Sequence, residues 1–220
     1  MEILFDGPCD GPLCVFAHGA GAPMDSEFME KFAKGLGGLG IKVARFEFPY
    51  MQERRLNGKK RPPNRQPELI HSFEETLNHI DAPCVLIGKS MGGRMASIMA
   101  SDFENTGSVN PRIMGVCALG YPFHPQGKPE KLRIDHLSDM VVPMTVVQGT
   151  RDPLGNQALV QGLFDESKIP LSLTTLWLED GDHDLKPRKK SGFTHEQHVQ
   201  EAIEYTASFI KFCFSQQQAS

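Results

Sequence analysis

Metal-ligand spacing, an even set of cysteines and a membrane-length apolar run are all missing from this chain of 220 residues. Each absence closes a door. No cluster of Cys and His has the spacing a metal ion needs, so no metal is expected. The five cysteines (Cys9, Cys14, Cys84, Cys117 and Cys213) are odd in number and mostly lie inside apolar, strand-like runs. That pattern excludes a disulfide framework and fits buried thiols in a reducing compartment. No apolar stretch approaches the length of a bilayer span. The opening residues, Met1 to Gly7, lack both a basic n-region and a long apolar h-region, so the expectation is a cytoplasmic protein without membrane association. Formal net charge is −4, and the basic residues are not interleaved with aromatics, so nucleic acid is not an expected partner. Neither an internal repeat nor a long linker is present. The chain is read as one domain over residues 1–220, with residues 215–220 as a frayed tail.

What is there begins with an alternation. Short continuous apolar runs at residues 13–17, 41–48, 83–87, 113–119, 144–147 and 171–178 are separated by helical patterns, and residues 2–5 suit a short edge strand. The helical stripes are Phe28, Phe32 and Leu36, then Leu69, Phe73, Leu77 and Ile80, then Met91, Met95 and Ile98. Leu159 and Leu163 mark a short helix, and Val199, Ile203, Ile210 and Phe214 a long closing one. Gly35, Gly37, Gly38 and Gly40 end the first helix. Residues 50–65 read as a basic, proline-containing loop, and a helix is expected near 129–138. Apolar strands alternating with helices predict an α/β fold: a mostly parallel sheet of about six to eight strands covered on both faces. Sites in such sheets form beyond the carboxyl ends of the strands.

One junction stands out. Val85 to Ile87 run into Gly88-Lys89-Ser90-Met91-Gly92-Gly93, and a helix starts at once. A strand, a sharp turn and a helix put Ser90 at the apex, beside the positive end of the helix; glycines at the flanks let the turn close. A serine hydroxyl needs a base to become a nucleophile, and the base needs a carboxylate to hold its tautomer. Of eight histidines, His183 alone follows a strand end inside a short polar turn. His124 and His136 are reserve candidates. Asp152, at the preceding strand end, is the candidate acid, with Asp182 and Asp184 as rivals close in sequence. The candidate oxyanion donors are the backbone N–H groups of Met91 and of Ala20 or Gly21, in the small-residue loop that follows His18-Gly19. His18 itself reads as a structural residue that hydrogen-bonds this loop.

The order Ser, Asp, His, carried by Gly88-Lys89-Ser90-Met91-Gly92, His18-Gly19-Ala20-Gly21, Gly149-Thr150-Arg151-Asp152-Pro153 and Gly181-Asp182-His183, resembles the α/β-hydrolase superfamily over residues 13 to about 212. The wording is most similar to small, lidless, dienelactone-hydrolase-like members. It also resembles a branch of mostly uncharacterised proteins that includes non-enzymatic-looking subunits of a chromatin acetyltransferase complex. The resemblance implies an α/β-hydrolase fold with no cap domain, a Ser90–His183–Asp152 triad, and a cofactor-free acyl-serine mechanism on a small ester or thioester. The N-terminal strands look truncated against the eight-stranded family sheet. Peptidase and acyltransferase chemistry would use the same parts. A catalytically silent binding or scaffold protein is the alternative.

Charge suggests the substrate side. Arg54, Arg55, Lys59, Lys60, Arg61 and Arg65 crowd one segment, and Lys186, Arg188, Lys189 and Lys190 another, together ten of the 23 basic residues. Both would rim the same sheet edge and steer an anionic acyl substrate. Tyr50, Arg54, Tyr121 and Lys186 are the candidate substrate contacts, and Lys89 is a basic residue without an assigned role. Oligomeric state is not fixed by any of these features.

Overall fold

A computed structural model describes residues 2–101 and 109–217. Seven strands form one sheet: β1 (Ile3–Asp6), β2 (Leu13–Ala17), β3 (Lys42–Phe46), β4 (Cys84–Lys89), β5 (Ile113–Leu119), β6 (Met144–Gly149) and β7 (Thr174–Leu178). They lie in the order β1-β3-β2-β4-β5-β6-β7, all parallel except β1, which pairs antiparallel with β3. The helices are α1 (Glu27–Gly38), α2 (Pro49–Asn57), α3 (Gln66–Ile80), α4 (Met91–Met99), α5 (Gln157–Asp165) and α6 (His195–Gln217). The expected α/β-hydrolase architecture is therefore present, with no cap domain among the described residues.

Side-chain alternation builds the two cores. Along β2, Leu13, Val15 and Ala17 face one cluster while Cys14 and Phe16 face the other; along β4, Leu86 opposes Val85 and Ile87. Phe73 of α3, Met95 of α4 and Val160 of α5 close the first face. Phe32 and Leu36 of α1, with Ile203 and Ile210 of α6, close the second. Burial on both faces is why the strands read as unbroken apolar runs.

The topology fixes where a site can form. From β2 the chain steps outward to β3, then jumps back across β2 to β4 and proceeds to the other edge. Loops leaving β2 and β4 therefore diverge at adjacent carboxyl ends, which is the crevice where ligands bind in open parallel sheets.

Four segments differ from expectation. Residues 50–65 are not wholly loop: Pro49 opens α2, and Gly58 closes it in the left-handed region at φ 70°. Only Tyr50 and Met51 of that helix are buried, so its apolar signal is short. The segment expected to be helical near 129–138 holds only a 3₁₀ turn, Asp135–Asp139. The last strand starts at Thr174 rather than Leu171, whose side chain is exposed in the turn before it. The closing helix continues through Ser215 to Gln217, within the segment expected to form the tail; residues 218–220 lie outside the described residues.

The glycines do end α1: Gly35, Gly37 and Gly38 lie in its last turns, and Gly40 follows just beyond at φ 85°. A Cβ at Gly37 would stand 2.9 Å from the Cα and N of Gly7, backbone that has nowhere to go. Gly38 has nothing within 4 Å of its Cβ position. Replacing glycine by alanine in a helix gains about 0.5–1 kcal/mol, whereas forcing atoms into a packed contact costs about 1–3 kcal/mol. Gly37→Ala is expected to lower Tm by roughly 2–4 °C per kcal/mol of net loss, and Gly38→Ala to leave it unchanged or raise it. Thermal melts of the two variants check the opposite signs.

Candidate active site

Backbone packed closer than a side chain would permit makes the apex at residue 90. A Cβ on Gly88 would meet the Gly92 carbonyl carbon at 2.1 Å, and one on Gly92 would meet the Ala17 and His18 carbonyl oxygens at 2.6 and 2.7 Å. With both positions free of side chains, α4 starts directly over the ends of β2 and β4. Ser90 takes φ 51°, ψ −114°, a left-handed conformation rare for a residue with a Cβ. Its N–H donates to the Leu119 carbonyl at 2.8 Å, tying the apex to the end of β5.

Ser90, His183 and Asp152 come together although they lie far apart in the chain. Asp152 follows β6 and is fully buried; His183 follows β7. His183 Nδ1 lies 2.8 Å from Asp152 Oδ2, and Nε2 lies 2.9 Å from Ser90 Oγ. A carboxylate oxygen accepts, so Nδ1 carries the proton and Nε2 offers its lone pair to the Ser90 O–H. The rivals do not take this place. Asp182 caps its own turn, accepting from the N–H groups of Asp184 and Lys186 at 2.9 and 3.0 Å. The Asp184 carboxylate pairs instead with Lys89 Nζ at 3.3 Å.

The buried Asp152 carboxylate is held on several sides. Oδ1 accepts the Leu154 N–H at 2.8 Å, and Oδ2 accepts Gln148 Nε2 at 2.9 Å. Gln148 is the residue sequence reasoning missed. It closes an apolar strand, is fully buried, and also bonds the Tyr121 N–H and the Gly155 carbonyl. A polar side chain at the end of a core strand was the available signal. The His183 loop is fastened to the Asp152 loop by Asp180, which pairs with Arg151 and Arg188 and whose N–H donates to Thr150 Oγ1 at 2.8 Å. The Arg188 guanidinium holds the Asp180 carboxyl well below the usual carboxylate range.

Lys89 now has a place. Its side chain is mostly enclosed; Nζ donates to the His183 carbonyl, and the ring of Phe28 lies 5.8 Å away. Burial pushes its pKa below the ordinary lysine value, against the pull of Asp184 and Asp152. The lysine thus braces the backbone of the histidine loop from the strand that carries the serine.

Around the small-residue loop, His18 Nε2 accepts the Phe48 N–H at 3.0 Å and Nδ1 donates to the Gly19 carbonyl at 2.7 Å, the structural position expected of it. Burial lowers its pKa. Ala20 and Met91 line a cavity of about 370 Å³ together with Ser90, whereas Gly21 is exposed and does not.

None of the four candidate substrate contacts lines that cavity. Tyr50 is buried, and its hydroxyl donates to the Gly19 and Ala20 carbonyls, so it supports the loop from beneath. Tyr121 is buried and donates to the Arg133 carbonyl. Arg54 reaches the Gly21 carbonyl, and the exposed Lys186 contributes its backbone to the histidine turn. Much of the basic charge is answered locally: Arg55 pairs with Asp25 and Glu47, Arg61 with Glu53, and Arg188 with Asp180. The cavity is instead lined by Asn64, Gln66, Arg94 and Arg133, which the sequence did not single out.

The alpha/beta hydrolase domain model matches residues 10–211. The chain belongs to this family. Among solved structures, the fold is similar to a monoacylglycerol lipase from Paleococcus ferrophilus at 16% identity, TM-score 0.66, covering 94% of this chain and 98% of that one. It is similar to a dienelactone hydrolase from Anabaena variabilis at 16% identity, TM-score 0.62, over 93% and 90% of the two chains. An alpha-beta serine hydrolase homologue from Coxiella burnetii aligns at 15% identity, TM-score 0.66, over 94% and 89%. At these identities the likeness establishes the shared hydrolase fold. In this α/β-hydrolase, among the described residues, no three His, Cys, Asp or Glu side chains converge to hold a metal ion, and no helix is long and apolar enough to cross a membrane.

The reserve histidines lie away from Ser90. His124 bonds the Pro125 carbonyl, and buried His136 sits 2.8 Å from Ser97 Oγ. Burial, with the Arg94 charge, holds the His136 pKa at about 4 against an ordinary 6.5. As pH falls, the unfolded chain therefore binds this proton first. The stability His136 contributes is intact above about 6.5 and is lost between there and about 4. In His136→Asn, the decline of Tm with pH across that window should be shallower, as read by melts at successive pH values.

Proposed function

We propose that this protein is a serine hydrolase that cleaves a small carboxylic ester or thioester through an acyl-serine intermediate. The observation that carries the reading is the imidazole of His183 within hydrogen-bond distance of both the Ser90 hydroxyl and the buried Asp152 carboxylate.

In this reading Ser90 Oγ attacks the substrate carbonyl while its proton passes to His183 Nε2. Asp152 accepts the Nδ1–H and stabilises the imidazolium without taking the proton. The carbonyl oxygen, now an oxyanion, rests on the N–H groups of Met91 and Ala20, the two candidate donors whose residues line the cavity. His183 returns the proton to the departing alcohol or thiol as the tetrahedral intermediate collapses to acyl-Ser90. Water then repeats the sequence: its proton goes to Nε2, its oxygen bonds the acyl carbon, and the Ser90–acyl bond breaks with return of the proton to Oγ. The products are the free acid and the unmodified enzyme.

A fluorophosphonate probe is expected to label Ser90 in the native protein, not at all in Ser90→Ala and slowly in His183→Ala. Turnover of short-chain nitrophenyl esters should fall by about 10⁴-fold in Asp152→Asn, through loss of the correct tautomer. Labelling that persists in Ser90→Ala would sink the proposal. Absence of both labelling and turnover in the native protein would favour the scaffold alternative.

A further inference from the structure

The cavity beside Ser90 is charged in an uncompensated way. Among the described residues, its only charged lining side chains are Arg94 and Arg133, and no carboxylate lines it. Neither arginine forms an ion pair among the described residues. Arg94 Nη2 donates to Gln66 Oε1 at 3.0 Å, but its Nε is shut off from solvent without any hydrogen-bond partner. A half-buried guanidinium with a donor left over is costly in a folded protein unless something answers it. Burial lowers the Arg94 pKa; Tyr121 pulls the other way, Arg133 pushes it down, and Asp135 opposes least.

The arginines are also held in place. Arg94 lies four residues beyond Ser90, its N–H donates to the Ser90 carbonyl at 3.1 Å, and both residues line the cavity. Arg133 is fixed by its main chain: its N–H donates to the Phe123 carbonyl at 2.8 Å, and its carbonyl accepts the buried Tyr121 hydroxyl at 2.8 Å. Two planar guanidinium groups lining one cavity suit a carboxylate, which such forks bind through paired hydrogen bonds.

We propose that this cavity is an anion subsite, formed by Arg94 and Arg133, for a short acyl chain that ends in a carboxylate. The substrate class is then the half-ester or half-thioester of a short dicarboxylic acid, with the ester carbonyl at Ser90 and the free carboxylate at the arginines. Glutarate, a short dicarboxylate, serves as the probe of this class. This assignment rests on the Ser90 reading for the reaction, but not for the binding of the anion. It differs from steering by the outer basic segments, because it places recognition inside the cavity.

The experiment has two arms. In the first, kcat/KM is compared for monoethyl glutarate and its uncharged counterpart ethyl pentanoate by pH-stat. The native enzyme is expected to favour the half-ester, and in Arg94→Gln and Arg133→Gln the ratio of the two values should collapse by about tenfold or more, with the loss mostly in KM. Arg94→Lys keeps a charge but not the fork and should restore only part of the ratio. In the second arm, glutarate is titrated into Ser90→Ala by calorimetry, where no turnover is needed. It should bind, and adding Arg94→Gln should weaken that binding by about tenfold or more. Circular dichroism melts of each variant identify any that fail to fold, and Arg133→Gln serves if Arg94→Gln does. Equal losses on both esters, or no glutarate binding to Ser90→Ala, overturn the subsite. Inorganic phosphate binding more tightly than glutarate overturns the carboxylate assignment. If glutarate binds but neither ester is cleaved, the subsite stands and the Ser90 reaction falls.

Discussion

A buried carboxylate organises this end of the molecule. Asp152 has no solvent exposure, and an anion in that position must find its compensation within the protein. It finds three donors, from Leu154, Gln148 and His183. Each donor carries a consequence: the first shapes the turn after β6, the second joins that turn to the segment after β5, and the third orients the imidazole. Were Asp152 replaced by an apolar residue, Gln148 and His183 would both lose an acceptor in a region with few alternatives. The arrangement near Ser90 thus depends on an interaction that Ser90 itself does not make.

The surrounding structure is a set of cross-braces between loops that leave neighbouring strands. Lys89 reaches from β4 to the histidine loop, Asp180 fastens that loop to the aspartate loop, and Tyr50 supports the Gly19–Ala20 carbonyls from α2. Tyr50 looked like a substrate contact in the sequence because it is aromatic and close to a strand end. Its burial and partners make it a support. Arg94 has the reverse history. It lies between Gly93 and Met95, in a stretch read as the buried stripe of a helix, yet it faces the cavity.

Much of the fold was legible because strand and helix leave different periods in the apolar pattern, and because buried strands appear as unbroken runs. The junction at Gly88 to Gly93 was legible for steric reasons, since backbone contacts this close leave little freedom of residue choice. What escaped was structure with a weak apolar signature. Helix α2 buries only Tyr50 and Met51, so its basic residues hid it. Gln148 gave no periodic signal at all. Pairings such as Arg55 with Glu47 and Arg188 with Asp180 depend on where loops travel, and loop paths are not encoded in local spacing. The glycines of α1 signalled the end of the helix, but not that Gly37 also makes room for Gly7, a neighbour distant in sequence.

The left-handed backbone of Ser90 has one further consequence. Such a conformation costs about 1–3 kcal/mol and persists only while the surrounding packing enforces it. The grip comes from β2, β5 and the first turn of α4, all pressed against one short turn. Any loosening there lets residue 90 relax toward an ordinary dihedral while the remaining sheet stays paired. On gentle heating, the hydroxyl should drift out of alignment before the two hydrophobic layers part, so that chemical competence is extinguished at a lower temperature than the fold.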